Sequence, residues 1–162
     1  MPVTDDAGLR DLLDLRRVAV IGCSTTPGKA AHEVPAYLDR HGYEIRPVNP
    51  YADEILGRPA VDTLAAVAAT VDLVTVFRPS EEVPGIVDAA LERHADRGDA
   101  GAVWLQLGIR DDAAAARAEA AGLRIVQDRC MRIEHGRLVA RPGPAPGSGR
   151  VVGRRVARPR LR

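Results

Sequence analysis

A chain of 162 residues with 46% hydrophobic side chains fits one domain around one core, and with aromatics at 3% that core must be built from Val, Leu, Ile and Ala. No apolar run reaches the roughly 18 residues that a membrane span needs. The acidic first six residues lack the basic-then-apolar order of a signal peptide, and two distant cysteines make no disulfide framework, so the expectation is a cytoplasmic protein with no membrane role.

The net charge of +1 hides an asymmetry. Residues 1–136 carry 15 Lys or Arg against 22 Asp or Glu, whereas residues 137–162 carry eight Arg and no acid. An acidic body is thus followed by a basic tail, and the overall charge describes neither. Of the 23 basic residues, 22 are Arg; the remaining one is Lys29. Where Arg serves everywhere else, a Lys suits a position that needs a compact, flexible ammonium instead of a planar fork; chance survival is the competing reading.

Thr4 or Asp5 is placed to cap a helix over residues 5–15, with Leu9, Leu12 and Leu13 on one face. Residues 18–22, an apolar run too short for a buried helix, predict the first strand. The small-residue loop Cys23-Ser24-Thr25-Thr26-Pro27-Gly28-Lys29 follows, and then a helix bearing Val34, Leu38 and His41. Pro35 lies inside that pattern and is tolerated in a first turn, so this helix is expected to begin near His32 or Glu33, with Gly42 closing it. Residues 43–48 predict the second strand, which Asn49-Pro50 terminates. Residues 53–58 read as a loop, and Asp62 as the cap of a short helix through Leu64 and Val67. Residues 71–77 predict the third strand, stopped by Arg78-Pro79-Ser80.

Ser80 opens a helix with Val83, Ile86, Val87, Ala90, Leu91 and His94 at helical spacing. Residues 102–107 predict a fourth strand, residues 111–121 an Ala-rich helix, residues 123–126 a fifth strand, and residues 127–133 lead away from it. Pro, Gly and Arg density over residues 141–162 predicts a disordered tail.

Five strands separated by helices predict an α/β fold: a Rossmann-like, doubly wound, parallel five-stranded sheet over residues 1–140, followed by the tail. The expected strand order is 3-2-1-4-5, with a ligand crevice beyond the C-terminal ends of strands one and four. Gly22 to Ser24, Asn49, Arg78 and Gln106 all follow strand ends.

The loop after strand one, rich in backbone N–H groups and hydroxyls with no bulky side chain over them, suits a phosphate or diphosphate. It is not a nucleotide-kinase loop: five residues separate Gly22 from Gly28, and Ala30 follows Lys29. It also departs from the dinucleotide fingerprint, with Ser24 and Pro27 where glycines belong and Asn49 where an acid would hold a ribose diol. The two Cys and four His have no metal-ligand spacing, and no Gly-x-Ser-x-Gly elbow is present. Cys130, in Asp128-Arg129-Cys130-Met131-Arg132, is either a thiol activated by neighbouring arginines or a small buried hydrophobe. Gln106 is either a ligand contact or a cap on local backbone.

Five motifs then occur in order: Val-Ile-Gly-Cys-Ser-x-x-Pro-x-Lys, Pro-Val-Asn-Pro, Val-Phe-Arg-Pro-Ser, Val-Trp-Leu-Gln-Leu-Gly and Asp-Arg-Cys-Met. Together they resemble the stand-alone CoA-binding domain proteins, which are similar to the N-terminal CoA-binding domain of the succinyl-CoA synthetase alpha subunit. The resemblance implies coenzyme A or an acyl-CoA lying across the strand ends. Gly22, Ser24 and Thr25 would face the ADP phosphates, with Cys23 and Pro27 in the same loop and Lys29 approaching a phosphate. Asn49 and Pro50 would line the adenosine side, and Phe77, Arg78 and Pro79 the approach to the pantetheine. Cys23 departs from the family's common Ala, and Pro35 and the tail depart as well. None of His32, His41, His94 and His135 lies in a loop suited to phosphorylation, so the synthetase's phosphohistidine chemistry is not expected of these residues.

The function expected is therefore recognition of a small CoA ligand without catalysis. The alternative is an NAD(P)-dependent oxidoreductase or an acyl transferase using Cys130. A third reading is a nucleotide or CoA sensor whose arginine tail engages nucleic acid or a partner, although no aromatics or RNA-reading fold accompany the tail. The oligomeric state, homo-oligomer included, is left open.

Overall fold

The structure, a computed structural model, describes residues 1–140; the expectation of a disordered tail over 141–162 falls outside the described residues. Seven strands and five helices follow one another along the described chain. They are α1 (Asp6–Leu13), β1 (Arg17–Ile21), α2 (Ala30–Arg40), β2 (Glu44–Val48), β3 (Glu54–Ile55), β4 (Arg58–Pro59), β5 (Leu73–Val76), α3 (Val83–Arg97), β6 (Ala102–Leu105), α4 (Asp112–Ala120), β7 (Arg124–Val126) and α5 (Met131–Leu138).

Five of the strands form one parallel sheet in the order β2-β1-β5-β6-β7. Counted along the sheet-forming strands this is 2-1-3-4-5, which corrects the expected 3-2-1-4-5. The physical reason lies at the outer edge of β2. Val61 takes that edge: its N–H donates to Pro47 O (3.2 Å), and its own carbonyl accepts from Asn49 N–H (2.9 Å). Pro47 itself has no N–H to give, which suits an edge strand. The third major strand therefore pairs on the far side of β1, and the topological switch point falls between β1 and β5, where a doubly wound sheet opens its ligand crevice.

Side chains alternate between two cores, as the pleat requires. Val18, Val20, Leu73, Trp104 and Val126 face a layer with Leu9, Leu12 and Leu13 of α1, Leu38 of α2 and Met131 of α5. Ala19, Val74, Val76, Val103, Leu105 and Ile125 face the opposite layer with Val83, Val87 and Ala90 of α3 and Ala114, Ala115 and Ala118 of α4. The small alanines let α4 lie close, and Trp104, fully buried, satisfies its indole N–H on Arg129 O (2.9 Å).

Local chemistry fixes the helix ends. Asp5 caps α1 through Gly8 N–H, and Asp111 caps α4 through Ala114 N–H (2.9 Å). At the end of α2, Tyr43 N–H returns to Leu38 O (3.1 Å) and Gly42 N–H to Asp39 O (3.3 Å), the paired bonds of a Schellman closure.

Several sequence-based expectations shift. α2 begins at Ala30, earlier than His32, so Pro35 lies beyond the first turn. Residues 53–58 contain the β3–β4 hairpin, turned by Leu56 and Gly57 at φ of 54° and 71°. Thr63, not Asp62, caps the next segment, which is a single 3-10 turn over Leu64–Ala66. Ser80–Glu82 is likewise a 3-10 turn before α3. Residues 131–138, beyond strand five, form α5. Among the described residues no helix is long and apolar enough to cross a membrane.

Candidate functional site

β1 delivers the chain to the switch point, and Gly22 makes the turn. Its φ is +79°, and an added Cβ would come within 2.7 Å of Arg78 Cδ and 3.2 Å of Phe77 O. Both the left-handed backbone and the close approach of the β5 end thus require glycine here.

The loop after Gly22 is less bare than its composition suggests. Gly22 N–H donates to Val48 O (3.0 Å), Ser24 N–H to Ala31 O (2.9 Å), Thr26 N–H to Ser24 Oγ (3.0 Å) and Gly28 N–H to Glu33 Oε1 (2.8 Å). The expectation of a loop of free amides is therefore corrected. Pro35 supplies the cause of the second bond. Having no N–H, it leaves Ala31 O without its helical donor, and Ser24 N–H takes the place. The proline inside α2 thereby ties the loop to the helix. The Gly28 N–H bond also holds the Glu33 carboxyl below its ordinary pKa.

What remains free is specific. The amides of Cys23, Thr25, Ala30 and Ala31 have no acceptor among the described residues; of these residues Cys23 and Ala31 line the cleft beyond the strand ends. Lys29 sits at the N-cap of α2 with no side-chain cap bond. Cys23 itself is fully buried, and burial pushes its thiol up to about 12, which makes it an inert filler under the turn.

Beyond these strand ends lies an open cleft of about 520 Å³. Gly22, Cys23, Ser24 and Lys29 line it from the loop, Asn49 and Pro50 from the end of β2, and Phe77 and Arg78 from the end of β5. Thr25, Pro27 and Pro79 are adjacent in the chain but are not part of its lining. Sequence reasoning misses the other lining residues, Ile21, Val48, Glu82 and Ile86 and, more usefully for a ligand, Ala31, Asp62 and Tyr51. Ala31 carries a free first-turn amide. Asp62 reads in the sequence as a helix cap. Tyr51, 96% exposed, is one of few aromatics in an aromatic-poor chain and follows a turn, which is the signal that could have found it.

Asn49 serves the protein before any ligand. Its Nδ2 donates to Cys23 O (2.9 Å) and its Oδ1 accepts from Tyr51 N–H (2.8 Å), so it welds the end of β2 to the loop after β1. Arg78 donates through Nε to Glu82 Oε2 (2.9 Å), with both side chains about half exposed. An exposed pair of this kind is worth under about 1 kcal/mol, so an incoming anion can compete for the guanidinium. Lys29 and Arg78 are offset by Asp62 and Glu82 across the lining, and any pull on an anion is therefore local.

Gln106 caps backbone. Its Nε2 donates to Thr75 Oγ1 (2.6 Å), and its Oε1 accepts from Met131 N–H (3.0 Å) at the start of α5. Cys130 occupies the N-cap position of α5, half-buried, and lies at a second, apolar groove away from the Gly22 turn. Among the described residues no group of three or more His, Cys, Asp and Glu is placed to hold a metal.

Comparison with known proteins agrees with this geometry. The model of the CoA binding domain family matches residues 16–136. An uncharacterized protein, YneT, from Bacillus subtilis (strain 168) is 37% identical over 120 residues, covering 74% of this chain and 85% of its own length. An ADP-forming acetate–CoA ligase II from Archaeoglobus fulgidus is 33% identical over 106 residues, 64% of this chain but only 15% of the ligase. The solved structure of a hypothetical protein from Pyrococcus horikoshii OT3 superposes with a TM-score of 0.78 at 32% identity, covering 85% of this chain and 96% of its own. Sheet order, switch-point cleft and family match converge: the chain belongs to the CoA-binding domain family.

Proposed function

We propose that this protein binds coenzyme A or an acyl-CoA in the cleft between the ends of β1, β2 and β5, and that its task is recognition. The carrying observation is the convergence at the switch point of two cations, Lys29 and Arg78, with the unpartnered amides of Cys23 and Ala31 beside a glycine that leaves no side chain in the way. A diphosphate fits that donor set. Its charge meets one flexible ammonium, one guanidinium released from Glu82, and main-chain N–H groups that need no desolvation of a full cation. The adenosine end would lie against Asn49, Pro50 and Tyr51, with the ring of Tyr51 available for stacking. CoA supplies a thiol carrier; the chain supplies the site that holds it.

Isothermal titration of the full chain with CoA, NADH and ATP tests this. The expected result is CoA binding tighter than about 1 mM and stronger than either competitor. Lys29→Ala should weaken CoA roughly tenfold, the scale of one charge-assisted hydrogen bond, while leaving the melting temperature of the ligand-free protein unchanged. NADH binding ahead of CoA would overturn the reading in favour of a nicotinamide enzyme.

A further inference from the structure

An apolar groove of about 340 Å³ adjoins the cleft, and the two share Ala31 and Phe77. One wall is the first turns of α2, with Ala30, Ala31 and Val34; the other is the segment after β6 and the start of α5, with Leu107 and Ile133. No charged side chain lines it. The amide of Gln106 does line it, but its donor and acceptor are consumed by Thr75 and by Met131 N–H. Beyond the first-turn amides at its Ala31 end and the Cys130 thiol, the groove therefore offers a ligand chiefly apolar surface. Leu107 and Ile133 are 66% and 59% exposed, which places them among the most exposed large hydrophobics of the described chain, and both sit on this rim. Large apolar side chains left in water beside a ligand cleft gain when that ligand covers them.

We propose that this groove seats an uncharged acyl chain, so that the protein prefers apolar acyl-CoA thioesters of medium length to free CoA and to dicarboxylic acyl-CoA. The inference rests on the CoA reading above. It is argued from the groove's continuity with the diphosphate cleft at Ala31 and Phe77 and from its chemistry. A terminal carboxylate carried past the Ala31 amide into it would lose its water and meet no charged side chain, while each methylene would gain by leaving water.

The test is a titration series on the full chain with free CoA, acetyl-, butanoyl-, hexanoyl-, octanoyl- and succinyl-CoA. The dissociation constant should fall by up to about fourfold per methylene until the groove is filled. Succinyl-CoA should bind no tighter than acetyl-CoA. Ile133→Glu, at an exposed position where folding is not at risk, should flatten the chain-length series and leave free CoA as it was. A flat series in the native protein, with CoA still bound, overturns the acyl seat and leaves the CoA reading standing. No binding of any member overturns the CoA reading instead. If Ile133→Glu weakens free CoA as much as octanoyl-CoA, the groove holds the pantetheine arm and the acyl proposal fails. A chain-length slope unchanged by Ile133→Glu puts the acyl chain elsewhere, and the proposal fails in that case too.

Discussion

Gly22 and Arg93 illustrate how single residues fix this site and this fold. Gly22→Ala would put a Cβ 2.7 Å from Arg78 Cδ in a backbone region that L side chains avoid. Arg78 can retreat, but the Phe77 carbonyl at 3.2 Å cannot without moving the end of β5. The expected cost is about 1–3 kcal/mol of stability, together with loss of CoA binding, read by thermal melts and titration. Arg93 is almost fully buried on α3 and bonds to Leu64 O (2.8 Å), Val67 O (2.9 Å), Ala69 O (2.9 Å) and Asp99 (2.9 and 3.0 Å). It thus holds the segment leading into β5. Burial pushes the Asp99 carboxyl up, but the bonds from Arg93 and from Val71 N–H outweigh that and hold it below its ordinary pKa. Arg93→Met keeps the volume and strands both the carboxylate and the carbonyls, so a loss of about 3–5 kcal/mol is expected, and a melting temperature lower by roughly 10 °C or more. A shift under about 2–3 °C in a calorimetric melt, on the order of 1 kcal/mol, would show that water replaces the guanidinium.

At the scale of elements, α2 is the piece that carries the site. Pro35 frees Ala31 O for Ser24 N–H, and Lys29 and Ala31 open the helix toward the cleft. Pro35→Ala restores an N–H that competes for that carbonyl. Hydrogen exchange at Ser24 is expected to accelerate by about an order of magnitude, equivalent to one net hydrogen bond of ~1.4 kcal/mol, while the rest of α2 exchanges more slowly. Unchanged exchange at Ser24 would mean that Ala31 O accepts both donors. The same element shows what a sequence can carry. The strands are legible because their apolar runs are short and bounded by Gly and Pro, and Gly22 and Lys29 are legible from loop composition. The start of α2 and the engaged amides are not, because they depend on which carbonyl Pro35 leaves open, a three-dimensional matter. Helix α5 is hidden because polar groups fill its buried face: Glu134 bonds to Arg137 (2.6 Å) and His135 to Tyr37 (2.9 Å), so no apolar periodicity advertises it. Strand order is illegible for a related reason, since the edge taken by Val61 is set by main-chain pairing far along the chain.

For the whole molecule, the helical layer of α1, α2 and α5 is where acid should act first. His135 is buried there, 3% exposed, with Nδ1 bonded to Tyr37 OH and its ring edge-on to Tyr37, Tyr43 and His41. The cations near it are Arg16, over the Tyr43 ring, and Arg132, over the Tyr37 ring. Burial, with His41 and Arg16 adding to it, pushes the His135 pKa below its ordinary 6.5. A depressed folded pKa means that the unfolded chain binds the proton more readily, so this stability is complete above about pH 6.5 and drains away as the pH falls below it. A second loss follows at lower pH. Asp6, whose carboxyl the Arg137 hydrogen bond holds down, Glu33, held down by Gly28 N–H, and Asp99 all lie below their ordinary values, so their contributions persist until the pH falls under the usual carboxylate range. The melting temperature should therefore be flat above neutrality, decline in a first step as the pH falls below about 6.5, and fall again near pH 4 and below. His135→Gln keeps an acceptor for Tyr37 OH and cannot titrate, so it should erase the first step and keep the second. Two melting curves that coincide from about pH 7 to 5, wild type and His135→Gln, would show that His135 takes up its proton in the folded layer as easily as in the unfolded chain, and that the acid sensitivity of this face resides in its carboxylates alone.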